Sequence, residues 1–162
     1  MRIHMGANYE GYALGRELET WVKGLGHEVV WHGADAYDFE DDYPLFAFRI
    51  GQAVIADEDA ALEVRGVLVG GVGGGETIAT NKVPGARAVF GHSVDFVTKS
   101  REHANASILV VGALNTGADE AKAMIQAIID AKFTNVLDDA RRIVNTNEYE
   151  ASKTIEGWMI TG

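Results

Sequence analysis

Not one of the 162 residues is cysteine, which removes disulfide frameworks, thiolate metal sites and a cysteine nucleophile or base from consideration. Basic residues are also scarce: 14 Lys and Arg stand against 24 Asp and Glu, for a net charge of -10. A chain this acidic has no basic patch to offset phosphate repulsion, so nucleic acid is not expected as a partner. A small anionic ligand needs only a local positive site and stays open. No apolar run approaches the ~20 residues that cross a bilayer, and MRIHMG at the amino end has no signal-peptide architecture. The expectation is a cytoplasmic chain without membrane contact. Hydrophobic residues at 47% and charged residues at 23% then place it among ordinary globular domains, and its length fits one domain with a sizeable core.

Apolar periodicity gives the order of elements. Ile3 to Gly6 reads as a strand, and Leu14, Leu18, Trp21, Val22 and Leu25 recur at helical spacing before Gly24 and Gly26. His27 to His32 is a second strand, followed by an acidic loop to Asp42. Pro44 sits near the start of a helix carrying Phe46, Ile50, Ala53 and Val54 on one face. Gly66 to Gly70, Ala86 to Phe90 and Ile108 to Gly112 read as three more strands. Helices are predicted from near Glu76, over Ser93 to Ala104, over about Ala118 to Ala131, and from LDDARRI onward. Strands alternating with helices, several of them continuous apolar runs, specify an α/β Rossmann-like domain: a five-stranded parallel sheet with helices on both faces. The tail from about residue 150, poorly patterned after Glu156, reads either as a dimer arm or as loose chain.

In such a sheet the ligand lies beyond the carboxyl ends of the strands, at a switch point. The richest sequence there is VLVGGVGGGETIATNKVPGAR, in which Gly70, Gly71, Gly73, Gly74 and Gly75 follow a strand and precede a helix. So bare a loop lets backbone N–H groups approach an anion. A dinucleotide fingerprint starting at Gly71 would need glycine at 76, where the residue is Glu76, and a carboxylate there repels a pyrophosphate. A P-loop fails as well, because no Gly-Lys-Ser/Thr closes the segment.

Proton transfer beside a carbonyl fits better. Aldose–ketose isomerisation passes through an enediolate, which needs N–H donors for its oxygen and one base that moves a proton between adjacent carbons. Glu76 beside the glycine loop offers both. The plainer account of Glu76 is a glutamate placed at a helix start by the helix dipole.

The run GVLVGGVGGGETIATNKVPGARA resembles the type B ribose-5-phosphate isomerases and their relatives the galactose-6-phosphate isomerases. The likeness extends through MRIHMGANYEG, GHEVV, DDYPLFAFRIGQAV, REHANASILVVGA and ARRIVNTNEYE, nearly the whole chain. It implies a Rossmann-like domain, a homodimer or tetramer with active sites shared between subunits, a sugar or sugar phosphate as ligand, and neither metal nor other cofactor. Many members use a cysteine base at the position of Gly70; an actinobacterial branch uses a glutamate that matches Glu76. His103, in REH, matches the histidine that helps open the sugar ring from the neighbouring subunit; taken alone, it is also a helix-end cation. Asn8, Tyr9, Gly71, Gly73, Gly74, Gly75 and Arg142 fall on substrate-binding positions. The remaining histidines (His4, His27, His32, His92) have no metal-ligand spacing.

The departures are specific. Asn8-Tyr9 stands where the family has Asp-His, and Ala104 where an asparagine follows the histidine. Leu114 and Asp138 replace two arginines, leaving Arg142 of the phosphate-binding set, since the adjacent Arg141 points elsewhere on its helix. The expectation is an isomerase that keeps its proton-transfer machinery and has lost its phosphate grip. A non-catalytic subunit of a hetero-oligomer and a small-molecule sensor are the alternatives.

Overall fold

Strand residues alternate faces, so an apolar run buries both sides of a sheet only if helices cover both. The computed structural model, which describes residues 1–155, has that arrangement. In chain order come β1 (Arg2–Ala7), a 3₁₀ turn (Tyr9–Gly11), α1 (Tyr12–Gly24), β2 (Glu28–Trp31), α2 (Tyr43–Asp59) and β3 (Val64–Gly70). These are followed by α3 (Gly74–Thr80), β4 (Ala88–Phe90), α4 (Val94–Ala104), β5 (Ile108–Gly112), α5 (Ala118–Asp130) and α6 (Leu137–Ser152). The strands lie in the order β2-β1-β3-β5-β4, every pair parallel.

Two apolar layers result. On one face Ile3, Met5, Val67, Val69, Leu109 and Val111 meet Leu18 and Val22 of α1, Val97 of α4, and Met124, Ile125 and Ile128 of α5. On the other, Val64, Leu68, Ile108 and Val110 meet Phe46, Ile50 and Val54 of α2 and Ala79 of α3. Each large apolar side chain so buried contributes about 1.5–3 kcal/mol. The central strand β3 is buried along its whole length, which explains its unbroken apolar sequence.

Local signals set the helix ends. Ser93 caps α4 by accepting a hydrogen bond from the Phe96 N–H at 3.1 Å, and Asn105 closes that helix in the left-handed region. Several details differ from the sequence pattern: β1 runs over Arg2–Ala7, β2 over Glu28–Trp31, and β3 begins at Val64, two residues before Gly66. The β4 strand starts at Ala88 rather than Ala86, because the Ala86 N–H is taken by Val83 O in a turn. The α3 helix starts at Gly74, two residues before Glu76, because Gly73 at φ 91° turns the chain into the helix early. The 3₁₀ turn after β1 has no periodicity to announce it. The tail that the sequence reads as a dimer arm or loose chain falls partly on residues 156–162, outside the described residues. The α6 helix itself has no buried residue. No helix among the described residues is long and apolar enough to cross a membrane.

Candidate active site

The chain leaves β1 toward β2 on one side and, after β3, builds the opposite half of the sheet. The switch point therefore lies between β1 and β3, where the loops following both strands meet at their carboxyl ends. The Asn8 N–H donates to Val69 O at 3.3 Å, joining the loop after β1 to the end of β3. The carbonyls of Gly70 and Gly71 are held from the other side by the N–H groups of Ala113 and Leu114, at 2.8 and 3.0 Å. With those carbonyls fixed, the glycine loop enters α3, whose first-turn N–H groups, at Gly74 and Gly75, have no partner within the helix.

Glu76 is 4% exposed in the first turn of α3. Its Oε1 accepts a hydrogen bond from the Gly71 N–H at 3.2 Å. A Cβ on Gly70 would overlap the Glu76 carboxylate. Glycine at position 70 thus provides the room in which the carboxylate sits at the end of β3. The same holds one residue on: a Cβ on Gly71 would overlap the Glu10 carboxylate, and one on Gly75 would overlap the Tyr43 hydroxyl. The glycines are needed as much for these side chains as for exposing backbone N–H groups. Gly74 alone in the loop faces open space.

The first loop is held by its own polar groups. Asn8, 2% exposed, accepts a hydrogen bond from the Gly11 N–H at 3.2 Å, so its side-chain oxygen caps the 3₁₀ turn. Tyr9 donates its N–H to Asp41 Oδ1 at 2.9 Å and sets its ring edge-on to Tyr37, 6.4 Å between centroids. Burial pushes the Asp41 carboxyl above its ordinary value, and its Oδ2 is buried without a hydrogen-bond partner.

His103 and Arg142 belong to a second cluster. His103 Nδ1 lies 2.9 Å from Asp139 Oδ2, and Arg142 Nη1 donates to Asp139 Oδ1 at 2.9 Å. The His103 hydrogen bond, followed by that of Arg142, holds the Asp139 carboxyl below its ordinary value. His103 and Arg142 line a cavity of about 450 Å³ with Asn81, Arg87, Asn147 and Glu150, and no residue from 70 to 76 lines it. Within one chain, Glu76 and His103 therefore occupy separate surroundings. Leu114, 64% exposed, stands beside the glycine loop, and Asp138 pairs with Arg141 at 3.2 Å.

A model of the Ribose/Galactose Isomerase family matches residues 3–146. The chain belongs to that family. Ribose-5-phosphate isomerase B of Mycobacterium tuberculosis is 37% identical over 150 residues, covering 93% of this chain and 90% of the relative. Ribose-5-phosphate isomerase B of Clostridium thermocellum superposes with a TM-score of 0.86 at 34% identity, covering 95% of this chain and all of that one. The Mycoplasma genitalium isomerase, solved with bound ribulose-5-phosphate, has the same TM-score at 28% identity and covers 93% of this chain and 97% of its own. Membership makes the chain an aldose–ketose isomerase, an intramolecular oxidoreductase on the Rossmann-like fold the sequence predicts.

Four polar side chains at these clusters escape a reading of the sequence: Glu10, Asp41, Tyr43 and Asp139. None lies in the glycine motif, and each is brought in by a loop or helix distant in sequence. For Glu10 and Tyr43 the available signal is glycine at 71 and 75, positions where something approaches the backbone closely; Asp41 and Asp139 have no such signal.

Proposed function

We propose that the chain interconverts an open-chain aldose and its ketose through an enediolate, with Glu76 as the base that carries the proton between the two carbons. The observation that carries this is the placement of the Glu76 carboxylate, buried at the switch point in the space left by Gly70 and tethered by the Gly71 N–H. A base so confined is aimed by the fold rather than by solvent, and the loop N–H groups stand beside it for the developing oxyanion.

His103 opens the sugar ring, supplied by a neighbouring subunit of a homodimer or tetramer. Two features support the shared site: one chain keeps His103 and Glu76 in separate clusters, and α6 has no residue buried by its own chain. Tyr9, the glycine loop and Arg142 complete the substrate contacts, with no metal or other cofactor in the reaction. Asn8 shapes the first loop from within.

The sugar carries no phosphate at the place where relatives bind one. Tyr9 stands where relatives have a histidine, Leu114 offers no donor and Asp138 brings a negative charge, while the remaining Arg142 is already paired with Asp139. Each missing charge-assisted hydrogen bond is worth about 1.5–3 kcal/mol, so three of them weaken phosphate binding by roughly three orders of magnitude or more.

The test is turnover in deuterium oxide with a panel of aldoses and ketoses, with and without phosphate. The wild type places deuterium on the carbon next to the carbonyl. Glu76→Gln, which cannot accept the carbon proton, loses both exchange and turnover by several orders of magnitude. Near-normal exchange in that variant would remove Glu76 from the mechanism.

A further inference from the structure

Isomerisation moves two protons, and Glu76 accounts for one. When the base takes the C2 proton of an aldose, the C–H electrons form the C1=C2 bond and the carbonyl π pair moves to O1, giving an enediolate. To finish as a ketose, a proton must leave O2 and a proton must reach O1, while Glu76 returns its own proton to C1. The first loop places an amide, Asn8, beside the glycine loop, and its oxygen is occupied by the Gly11 N–H. Val72, exposed on the glycine loop, is apolar. Neither can move a proton between oxygens.

Glu10 can. Its carboxylate lies against the Cα of Gly71, the residue whose N–H binds Glu76 Oε1. Two carboxylates thus address one glycine residue, one through its N–H and one across its Cα face. Glu76 is buried while Glu10 is exposed, open to a ligand entering the switch point. The Glu10 carboxylate makes no hydrogen bond or ion pair with any other described residue. By contrast Glu19 is paired with Arg16 and Lys23, Glu58 with Arg87, and Glu17 with Lys122. It takes no part in the fold's polar network, and Gly71 leaves the room it occupies.

Resting on the reading of Glu76 as the carbon base, we propose that Glu10 is the second acid–base group of the reaction, carrying the proton between the two substrate oxygens. Its carboxylate takes the O2 proton of the enediolate and delivers a proton to O1, ending in the state in which it began. The electron pair left on O2 closes the new C2 carbonyl as C1 receives its proton from Glu76. No oxidant, reductant or co-reactant is required.

The experiment follows deuterium and product together in deuterium oxide, using whichever aldose the wild type converts. In Glu10→Gln, conversion falls about 10²-fold, the usual worth of one positioned acid–base group. The aldose recovered from that reaction still gains deuterium at C2, because Glu76 still forms the enediolate. The ratio of exchange to conversion therefore rises roughly tenfold or more above the wild-type ratio. An unchanged ratio overturns the proposal, as does a folded Glu10→Ala variant that converts sugar at the wild-type rate. Glu10→Ala regains conversion when formate is added, a response that a spacer residue would not show. Failure of the Glu76 reading is distinguishable, because it appears as carbon exchange surviving in Glu76→Gln.

Discussion

The glycine-loop side of the molecule and the α6 side are built to different standards. Around Gly70 to Glu76 two backbone carbonyls are pinned by the residues just after β5, Glu76 is only 4% exposed, and glycines make room for three polar side chains. Around α6 no residue is buried, His103 is more than half exposed, and Leu137 and Val144 point apolar surface outward at 81% and 52% exposure. Single chains do not leave a 16-residue helix so uncovered without a use for its surface. On the proposed mechanism, the carbon-proton half of the reaction is finished inside one chain, while the ring-opening half is presented to another.

The comparison breaks most severely if the finished half is refilled. Gly70→Ala puts a methyl where the Glu76 carboxylate lies, so turnover should fall by about 10²–10⁴-fold while the far-UV spectrum and melting temperature stay near wild type. The same geometry gives a gain of function. Glu76→Ala combined with Gly70→Cys sets a thiol in the vacated volume, and part of the lost activity should return, with a rate that rises as the thiol ionises. An inactive, folded double variant would mean that shared space is not enough to aim the base.

The outward half is tested by charge. Val144→Asp leaves no hole in the core, so the chain stays folded. It should shift light-scattering mass toward the monomer and lower activity by roughly tenfold or more, through the desolvation cost of a carboxylate at an interface. A smaller effect is expected at the phosphate positions. Leu114→Arg together with Asp138→Arg should raise catalytic efficiency on ribose 5-phosphate relative to unphosphorylated pentoses. One restored contact of about 1.5–3 kcal/mol corresponds to roughly 10–100-fold. Efficient wild-type turnover of ribose 5-phosphate would show that the phosphate is held by other residues.

The smallest effect lies outside both regions. His32 touches His4 at 2.8 Å, and burial, with the His4 and Arg49 charges, pulls its imidazole down to about 4. A folded-state value below the unfolded one means that the unfolded chain binds more protons between the two. His32 therefore costs stability as pH falls from about 6.5 toward 4, and nothing further below that. Denaturant midpoints measured across this window should fall less in His32→Gln than in the wild type, with activity at neutral pH unaffected.

The legible part of this protein was the part governed by periodicity. Alternating apolar strands and helices with 3.6-residue repeats gave the parallel sheet and its switch point, because burial on both faces leaves few other arrangements. Glu76 was legible because it breaks a glycine motif at a position where a nucleotide reading demands glycine. Glu10, Tyr43 and Asp139 were not, because nothing local ties the first turn or the start of α2 to the glycine loop, or α6 to His103 on α4. For Glu10 and Tyr43 the signature is negative, a missing Cβ at Gly71 or Gly75, and a glycine alone does not say whether it serves a turn, a ligand or a neighbour's side chain. The Arg142 pairing with Asp139 was equally invisible, since three-residue helical spacing allows that contact without requiring it.

Mixing two inactive chains tests the central claim that the base and the ring-opening histidine meet only across subunits. Glu76→Gln and His103→Ala are each expected to be nearly inactive alone. After subunit exchange, confirmed by mass, half the dimers at equal mixing are mixed and one of the two sites in each regains both groups. Activity should therefore recover to about a quarter of wild type, as two-fold symmetry dictates. A mixture no more active than its parents, with exchange demonstrated, would contradict the account.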